Sequence, residues 1–511
     1  MKVLLINSNR ERMPWPVMPI GLCMVATAAA AAGHVVKVLD LTLRRQPDAD
    51  VKRELRATRP HAIGISIRNI DNCNFESPTF YLQAIRAELI PLLRRNAPDA
   101  TIVIGGSAVN IAPQLVLDYV GADCALSGEG EVSLPQLLSA LEGTAPLPAG
   151  IHFPENGRTS PALRALIARS PAASSMTGSG FARAPALPTT SETWRWTDWR
   201  SYAHLGATYP LQTKRGCALR CSYCVYNDLE GRAYRLRSPE SIIAEIEEAR
   251  AQGVDRFEFV DSTFNIPKRH SLAVCEAISR RRLDVKLSTM GLNPRNVDDE
   301  LVDAMLRAGF DNVMCSAESA SNRVLESMAK GYTAKHVART AAALRAGGLP
   351  TYWFFLLGAP GETMETVTET LDFCAEHIPQ HHVVLFATGL RILPGTPLER
   401  ECRGSGWLDA ADRLLEPTWY VSPHLNLPRL GELLAKRSNA HPNWMVNGET
   451  ALSPRKAAAM KAGFRMLGWG GPFWQHLPRV FSIAARMKAR DRGIQSAWRK
   501  VLRVTDVVHH R

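Results

Sequence analysis

Three cysteines, Cys217, Cys221 and Cys224, stand within eight residues in the stretch RGCALRCSYCVYND (215–228). Thiolates bind zinc or iron–sulfur clusters, and both usually take four protein ligands. The CxxxCxxC spacing supplies three. Zinc sites are commonly built from CxxC-type pairs, so a zinc ion here would need a fourth ligand from elsewhere. Three thiolates can instead hold three irons of a [4Fe–4S] cube and leave the fourth iron open. An open iron suits a site where a small molecule must be chelated. The remaining cysteines, Cys23, Cys73, Cys124, Cys275, Cys315, Cys374 and Cys402, are dispersed, form no second cluster motif and read mostly as buried small hydrophobes.

The surrounding elements say where the triplet sits. Residues 206–400 alternate apolar runs with helical stretches. The candidate strands are LQTKRG (211–216), RFEFVD (256–261), VKLSTM (285–290), NVMCSA (312–317), TYWFFLLG (351–358) and VVLFATGL (383–390). SPESIIAEIEEARAQG lies between the first two, with Ser238 placed to cap it and Gly253 to end it. Such βα units predict a partial (β/α)6 barrel, in which chemistry lies at the C-terminal strand ends. The triplet follows the first strand.

Residues 1–142 alternate in the same way, through KVLLIN, VVKVLDL, HAIGISI, TIVIGG and DCALSGEGE. They predict a Rossmann-like, doubly wound parallel sheet. Small residues cluster at its strand ends: Ser66, then Gly105, Gly106 and Ser107, then Gly128 beside Glu129. Such turns let a ligand approach the backbone closely. Residues 143–205, rich in Pro, Ser, Gly and Ala, read as a linker. Residues 401–511 hold Trp407, Trp419, Trp444, Trp469, Trp474 and Trp498 and end in a basic run. The fold class is therefore α/β: a Rossmann-like sheet, a partial barrel, and a mostly helical C-terminal region that acts as a substrate lid or closes the barrel.

At 511 residues the chain is too long for one core. Its 46% hydrophobic and 22% charged content is that of a globular protein. A net charge of +12 suits an anionic substrate, nucleic acid or a membrane surface, and equally an arginine-rich composition. No aromatic–basic interleaving marks a nucleic-acid partner. The first apolar run is too short for a secretory signal, and no run of about 18 apolar residues would span a membrane. Reduced thiols and a cytoplasmic location are expected. The stretch MKAGFRMLGWGGPFWQHLPRVFSIAARMKARDR (460–492) is basic and amphipathic. It reads as a lid, as a helix on a membrane surface, or as a solvated helix on the barrel.

With aromatic Tyr223 before its last cysteine, the triplet resembles the CxxxCxΦC signature of radical SAM enzymes. FVDSTFNIPK (259–268), CSAESASNRVLESMAKGYT (315–333), LLGAPGET (356–363) and RILPGTPLER (391–400) are similar to later segments of one subfamily. In that subfamily a cobalamin (B12)-binding domain comes first, and ISIRNID (65–71), VIGGSAV (103–109) and SGEGE (127–131) resemble it. The subfamily includes carbon methylases of antibiotics and lipids and the anaerobic porphyrin ester cyclase.

The resemblance implies three cofactors, a [4Fe–4S] cluster, S-adenosyl-L-methionine (SAM) and cobalamin. It assigns Cys217, Cys221 and Cys224 to the cluster, and Tyr223 to the cluster or the adenine. Asp261, Ser262 and Thr263 would meet SAM's methionine part, Ser316 and Glu318 its ribose side, and Gly358, with Pro360 and Gly361, the turn near adenine. Ser66, Gly105, Gly106, Ser107, Gly128 and Glu129 would surround cobalamin. Structural readings compete: barrel packing for Tyr223, a helix cap for Asp261, a salt bridge for Glu318, tight strand–helix packing for the glycines. Arg391 reads evenly as a holder of a substrate carboxylate or phosphate and as an ion-pair partner. The Asp-x-His-x-x-Gly motif, whose histidine ligates cobalt, is absent, and the first histidine is His34. Cobalamin bound without a protein histidine is the expectation, against a domain that keeps the fold without the cofactor.

The implied reaction is methylation of an unactivated carbon of a small molecule, a natural product or a lipid. A SAM-derived 5′-deoxyadenosyl radical would remove hydrogen and methylcobalamin would supply the methyl group. A flavodoxin- or ferredoxin-type donor would reduce the cluster. Oxidative cyclisation or ring rearrangement is the alternative, and a non-catalytic cobalamin-binding protein the third reading.

Overall fold

The computed structural model describes residues 1–12, 15–170, 181–184, 193–446, 459–460, 462–464, 466–468, 473–476 and 480. The chain opens with a six-stranded sheet. β1 (Lys2–Asn7), β2 (Val35–Asp40), β3 (Ala62–Ser66), β4 (Thr101–Gly105) and β5 (Cys124–Leu126) run parallel, and β6 (Ile151–His152) adds antiparallel at the β5 edge. The order is β2-β1-β3-β4-β5-β6. Helices cover both faces, so strands such as VLLI and IVI are apolar throughout. The order reverses between β1 and β3, the position where open α/β sheets bind ligands. Asn7 and Ser66 end these strands, and the Ser8 hydroxyl donates to the Ser66 carbonyl at 2.8 Å.

Part of the Pro- and Ser-rich segment is built into this sheet. It supplies β6 and the helix Pro161–Ala168, whose Ser160 cap accepts from the Leu163 N–H. A second part crosses to the barrel. There the Trp196 indole donates to Thr27 at 2.9 Å, and the Tyr202 hydroxyl to Asp40 at 2.7 Å.

The second unit is a parallel barrel fragment. It begins with β7 (Tyr209–Leu211), followed by β8 (Lys214–Arg215) and β9 (Arg235–Leu236), an antiparallel pair closing the base of an excursion. β10 (Arg256–Phe259), β11 (Lys286–Thr289), β12 (Val313–Glu318), β13 (Thr351–Leu357) and β14 (Val383–Thr388) follow, each preceded by a helix, and β11 and β12 meet only through single bridges near Leu287–Phe310 and Leu292–Cys315. β15 (Leu390–Arg391) pairs antiparallel with β16 (Trp419–Tyr420). β17 (Trp444–Val446), which the sequence did not suggest, adds parallel to β14. Phe257, Phe259, Trp353, Phe355 and Phe386 point outward into the main core beneath the helices. Their alternates face the lumen, as the two-residue period of a strand requires.

Among the described residues no helix is long and apolar enough to cross a membrane. The basic stretch 460–492 lies mostly outside the described residues, as do Trp469 and Trp498. Trp474 is described, and it is buried edge-on against Tyr352 at 5.4 Å.

Candidate functional site

The excursion between β8 and β9 carries the three cysteines. Gly216 starts it at φ +102°, where a Cβ would lie 2.1 Å from the Ala233 carbonyl. Only glycine turns the chain there. The Cys217 N–H donates to Gly231 at 2.8 Å, the Gly216 N–H to the Glu230 carboxylate, and the Ser222 N–H to Met328 at 2.9 Å. The loop is thus fastened at both ends and in the middle before any ligand is added.

Cys217, Cys221 and Cys224 line one cavity of about 180 Å³ together with Tyr223, Ser262, Thr263, Gly291, Ser316, Glu318 and Lys330. Burial pushes the Cys224 thiol up to about 12 and raises Cys217 as well. Iron must therefore displace protons to bind them. Among the described residues no three His, Cys, Asp or Glu side chains converge on one ion-sized point. Thiols spread around a cavity fit the separate irons of a cluster better than a single zinc.

The same cavity holds a largely buried group that includes a residue the sequence reading passed over. The Tyr223 hydroxyl donates to Glu318 at 2.9 Å. The Lys330 ammonium donates to Tyr223 at 3.0 Å and to Glu318 at 3.2 Å. Burial alone would lower the Lys330 pKa, but Tyr223 and Glu318 hold it well above the ordinary value. Glu318 sits in a left-handed conformation, φ +61°, at a bulge in the β12–β13 register. The bulge turns its carboxylate into the cavity. Tyr332 fixes the bulge by donating to the Ser316 and Ala317 carbonyls, both at 3.1 Å. The signal was in the KGYT segment that follows Glu318, without any hint of its partner.

Not every expected residue reaches this cavity. Asp261 does not: its carboxylate accepts from the Thr213 and Lys214 N–H groups, the Thr213 hydroxyl and the Lys214 ammonium. With those partners it braces β8 against β10 and presents no free oxygen. Gly358 shapes the turn after β13, and its N–H donates to the buried Glu362. Gly358 does not line the cavity. Arg391 is an ion-pair residue. It meets Asp71, in the loop after β3 of the first domain, at 2.8 Å and donates to the carbonyls of Ile392, Leu414, Leu415 and Thr418.

The first sheet presents its ligand edge to the same region. Ser66 and Gly105 are half-buried, and Gly106 and Ser107 exposed, at the ends of β3 and β4. Gly106 owes its glycine to packing, because a Cβ would meet the Ile67 carbonyl at 2.6 Å. The helix Tyr226–Leu229, just past Cys224, packs against the helix Ser107–Ile111. Tyr226 is 49% exposed although Arg68 and Cys73 of the first domain lie within its electrostatic reach. The ligand edge of the sheet and the cluster loop are therefore neighbours, joined through these two short helices.

Gly128 and Glu129 face elsewhere. A Cβ on Gly128 would lie 2.5 Å from the Ala182 backbone, and Glu129 accepts from the Ala184 N–H at 2.7 Å. Burial would raise the Glu129 pKa, but hydrogen bonds from Arg235 and the Arg215 charge hold it below the usual carboxylate range. This turn clamps the sheet to the linker and barrel. His34 lies at the opposite end of the sheet, 3.2 Å from the N-terminal amine.

A switch-point sheet facing a partial barrel whose first strand leads into a three-cysteine loop defines a radical SAM enzyme with a cobalamin-type domain. Residues 211–374 match the model of the radical SAM superfamily, and residues 13–138 that of the B12 binding domain. The chain is 28% identical over 459 residues to tryptophan 2-C-methyltransferase of Streptomyces laurentii, covering 79% of this chain and 75% of that one. It is 24% identical over 526 residues to cytidylyl-2-hydroxyethylphosphonate methyltransferase of Streptomyces wedmorensis, covering 89% and 92%. Its fold superposes with a TM-score of 0.76 on the radical S-adenosylmethionine methyltransferase TsrM from Kitasatospora setae, solved with cobalamin and a [4Fe–4S] cluster, at 27% identity over 95% of this chain and 99% of that one. The chain belongs to the cobalamin-dependent radical SAM enzymes.

Proposed function

We propose that this chain methylates carbon in a small molecule, with Cys217, Cys221 and Cys224 as the cluster ligands. The observation that carries this reading is convergence. The three thiols and the Tyr223–Glu318–Lys330 group line one cavity, and the helix that follows Cys224 packs against the helix that follows β4 of the first sheet. When bound, the cluster supplies an electron, SAM the radical precursor and the methyl group, and cobalamin the methyl carrier.

The chain's own part is placement. Ser262 and Thr263 offer hydroxyls for SAM's polar end, and Ser316 and Glu318 accept from ribose hydroxyls. Lys330 and Tyr223 orient the Glu318 carboxylate. Ser66, Gly105, Gly106 and Ser107 would cradle cobalamin, and among the described residues no histidine stands at that edge. The buried walls exclude water. A flavodoxin- or ferredoxin-type protein supplies the electron. The relatives' names point to different substrates, tryptophan in one and a cytidylyl phosphonate in the other.

The test is anaerobic reconstitution with iron, sulfide and hydroxocobalamin, followed by metal counts. About four irons and one cobalamin per chain are expected, and Cys221→Ala should lose iron while keeping cobalamin. Four irons without cobalamin would overturn the methyl-carrier reading. A product with an unchanged carbon count would favour the cyclase alternative.

A further inference from the structure

The lumen side of the barrel is layered by register. Met314, Tyr352 and Val383 are partners on β12, β13 and β14, and Trp474 seals them, all four being buried. The next layer up is Ser316, Phe354, Leu385 and Met445, again partners in register across β12, β13, β14 and β17. All four are only partly buried, although their outward neighbours Cys315, Trp353, Phe355 and Phe386 are fully buried. Above them Leu356 and Ala387 pair in register and are also partly exposed. A filled lumen would bury these positions as completely as the floor. Their exposure marks open space above the Trp474 floor. Ser316 belongs both to this layer and to the cavity that holds the thiols, so the layer adjoins the reaction site.

We propose that this layer seats the reacting part of the substrate, and that this part is an uncharged, apolar ring-sized group. The inference rests on the reading given under Proposed function and adds the substrate class. The walls offer phenyl, isobutyl, methyl and thioether surface with a single hydroxyl, from Ser316. Burying a phosphate or carboxylate there without a cation would cost several kcal/mol. Lys330, the cation nearest Ser316 on the cavity wall, is already paired with Glu318 and Tyr223. Besides the paired Glu318, the lumen-facing carboxyl of Glu258 lies lower. It is level with Ser288, below the Met314 floor.

The test uses reconstituted holoenzyme with S-adenosylhomocysteine, titrated by equilibrium dialysis with indole and separately with cytidine monophosphate. Saturable indole binding and no nucleotide binding are expected. Leu385→Glu should weaken indole by about tenfold or more, the loss of roughly one side chain's apolar contact. Ala387→Leu, which only fills space and keeps the strand apolar, should do the same. In both variants iron and cobalamin contents should equal those of the wild type, which separates a blocked lumen from a misfolded barrel. Indole affinity unchanged in Ala387→Leu, or nucleotide competing with indole, would overturn the proposal. Failure of wild-type protein to load iron and cobalamin would overturn the reading of the cofactor site instead.

Discussion

Glu258 is a buried acid on the lumen face of β10, below the layer that adjoins the reaction site. Its partners are the hydroxyls of Thr208 and Ser288, and burial pushes its pKa from the ordinary 4.5 up to about 7. At about 1.4 kcal/mol per pH unit, that rise corresponds to about 3 kcal/mol. The folded protein keeps a proton that the unfolded chain has already released between these two values. Stability contributed by this group is therefore greatest below about pH 4.5, falls as pH rises, and levels off above about pH 7. Glu258→Gln keeps an acceptor for the hydroxyls and cannot ionise. Relative to wild type it should gain about 3 kcal/mol between the two ends of this window. The assay is the urea midpoint of the barrel transition, read by tryptophan fluorescence from about pH 4 to about pH 8, in both proteins. Glu362, also pushed to about 7, is common to both and cancels in the difference. A constant difference across the range would refute the claim that Glu258 is held neutral by burial.

Gly216→Ala places a methyl against the Ala233 carbonyl. It should abolish iron retention on reconstitution while cobalamin still binds, as metal and absorbance counts will show. Lys330→Met leaves the buried Glu318 carboxylate without its cation and should cost about 3–5 kcal/mol. Adding Glu318→Gln should recover much of that loss, and a double-mutant cycle that finds simple additivity would contradict the coupling. Arg235→Met removes the hydrogen-bonded cation from Glu129 and should cost about 1–3 kcal/mol. Its signature is faster protease cleavage between the sheet and the barrel.

The strands of both sheets were legible because parallel strands covered on both faces must be apolar runs, and KVLLIN, TIVIGG and TYWFFLLG are such runs. The triplet was legible because its spacing is local. What the sequence could not show is pairing between distant residues. Glu129 resembled a cofactor residue through its SGEGE segment, but its oxygens belong to Arg235 and Arg215, over a hundred positions away in one case. Asp261 was hidden in the same way, since Lys214 folds back on it only after β8 leaves the barrel. Lys330 was quoted within a motif, yet its role depends on a bulge that no propensity encodes. β17 escaped notice because three residues carry no readable period.

The Arg391–Asp71 pair and the Glu129–Arg235 pair pin the two halves of the molecule at separate points, and both are shielded from bulk water. Mobile ions reach such contacts poorly. The spacing of sheet and barrel is therefore held by buried ion pairs and largely indifferent to ionic strength. The two halves behave as the jaws of a gauge locked at one setting.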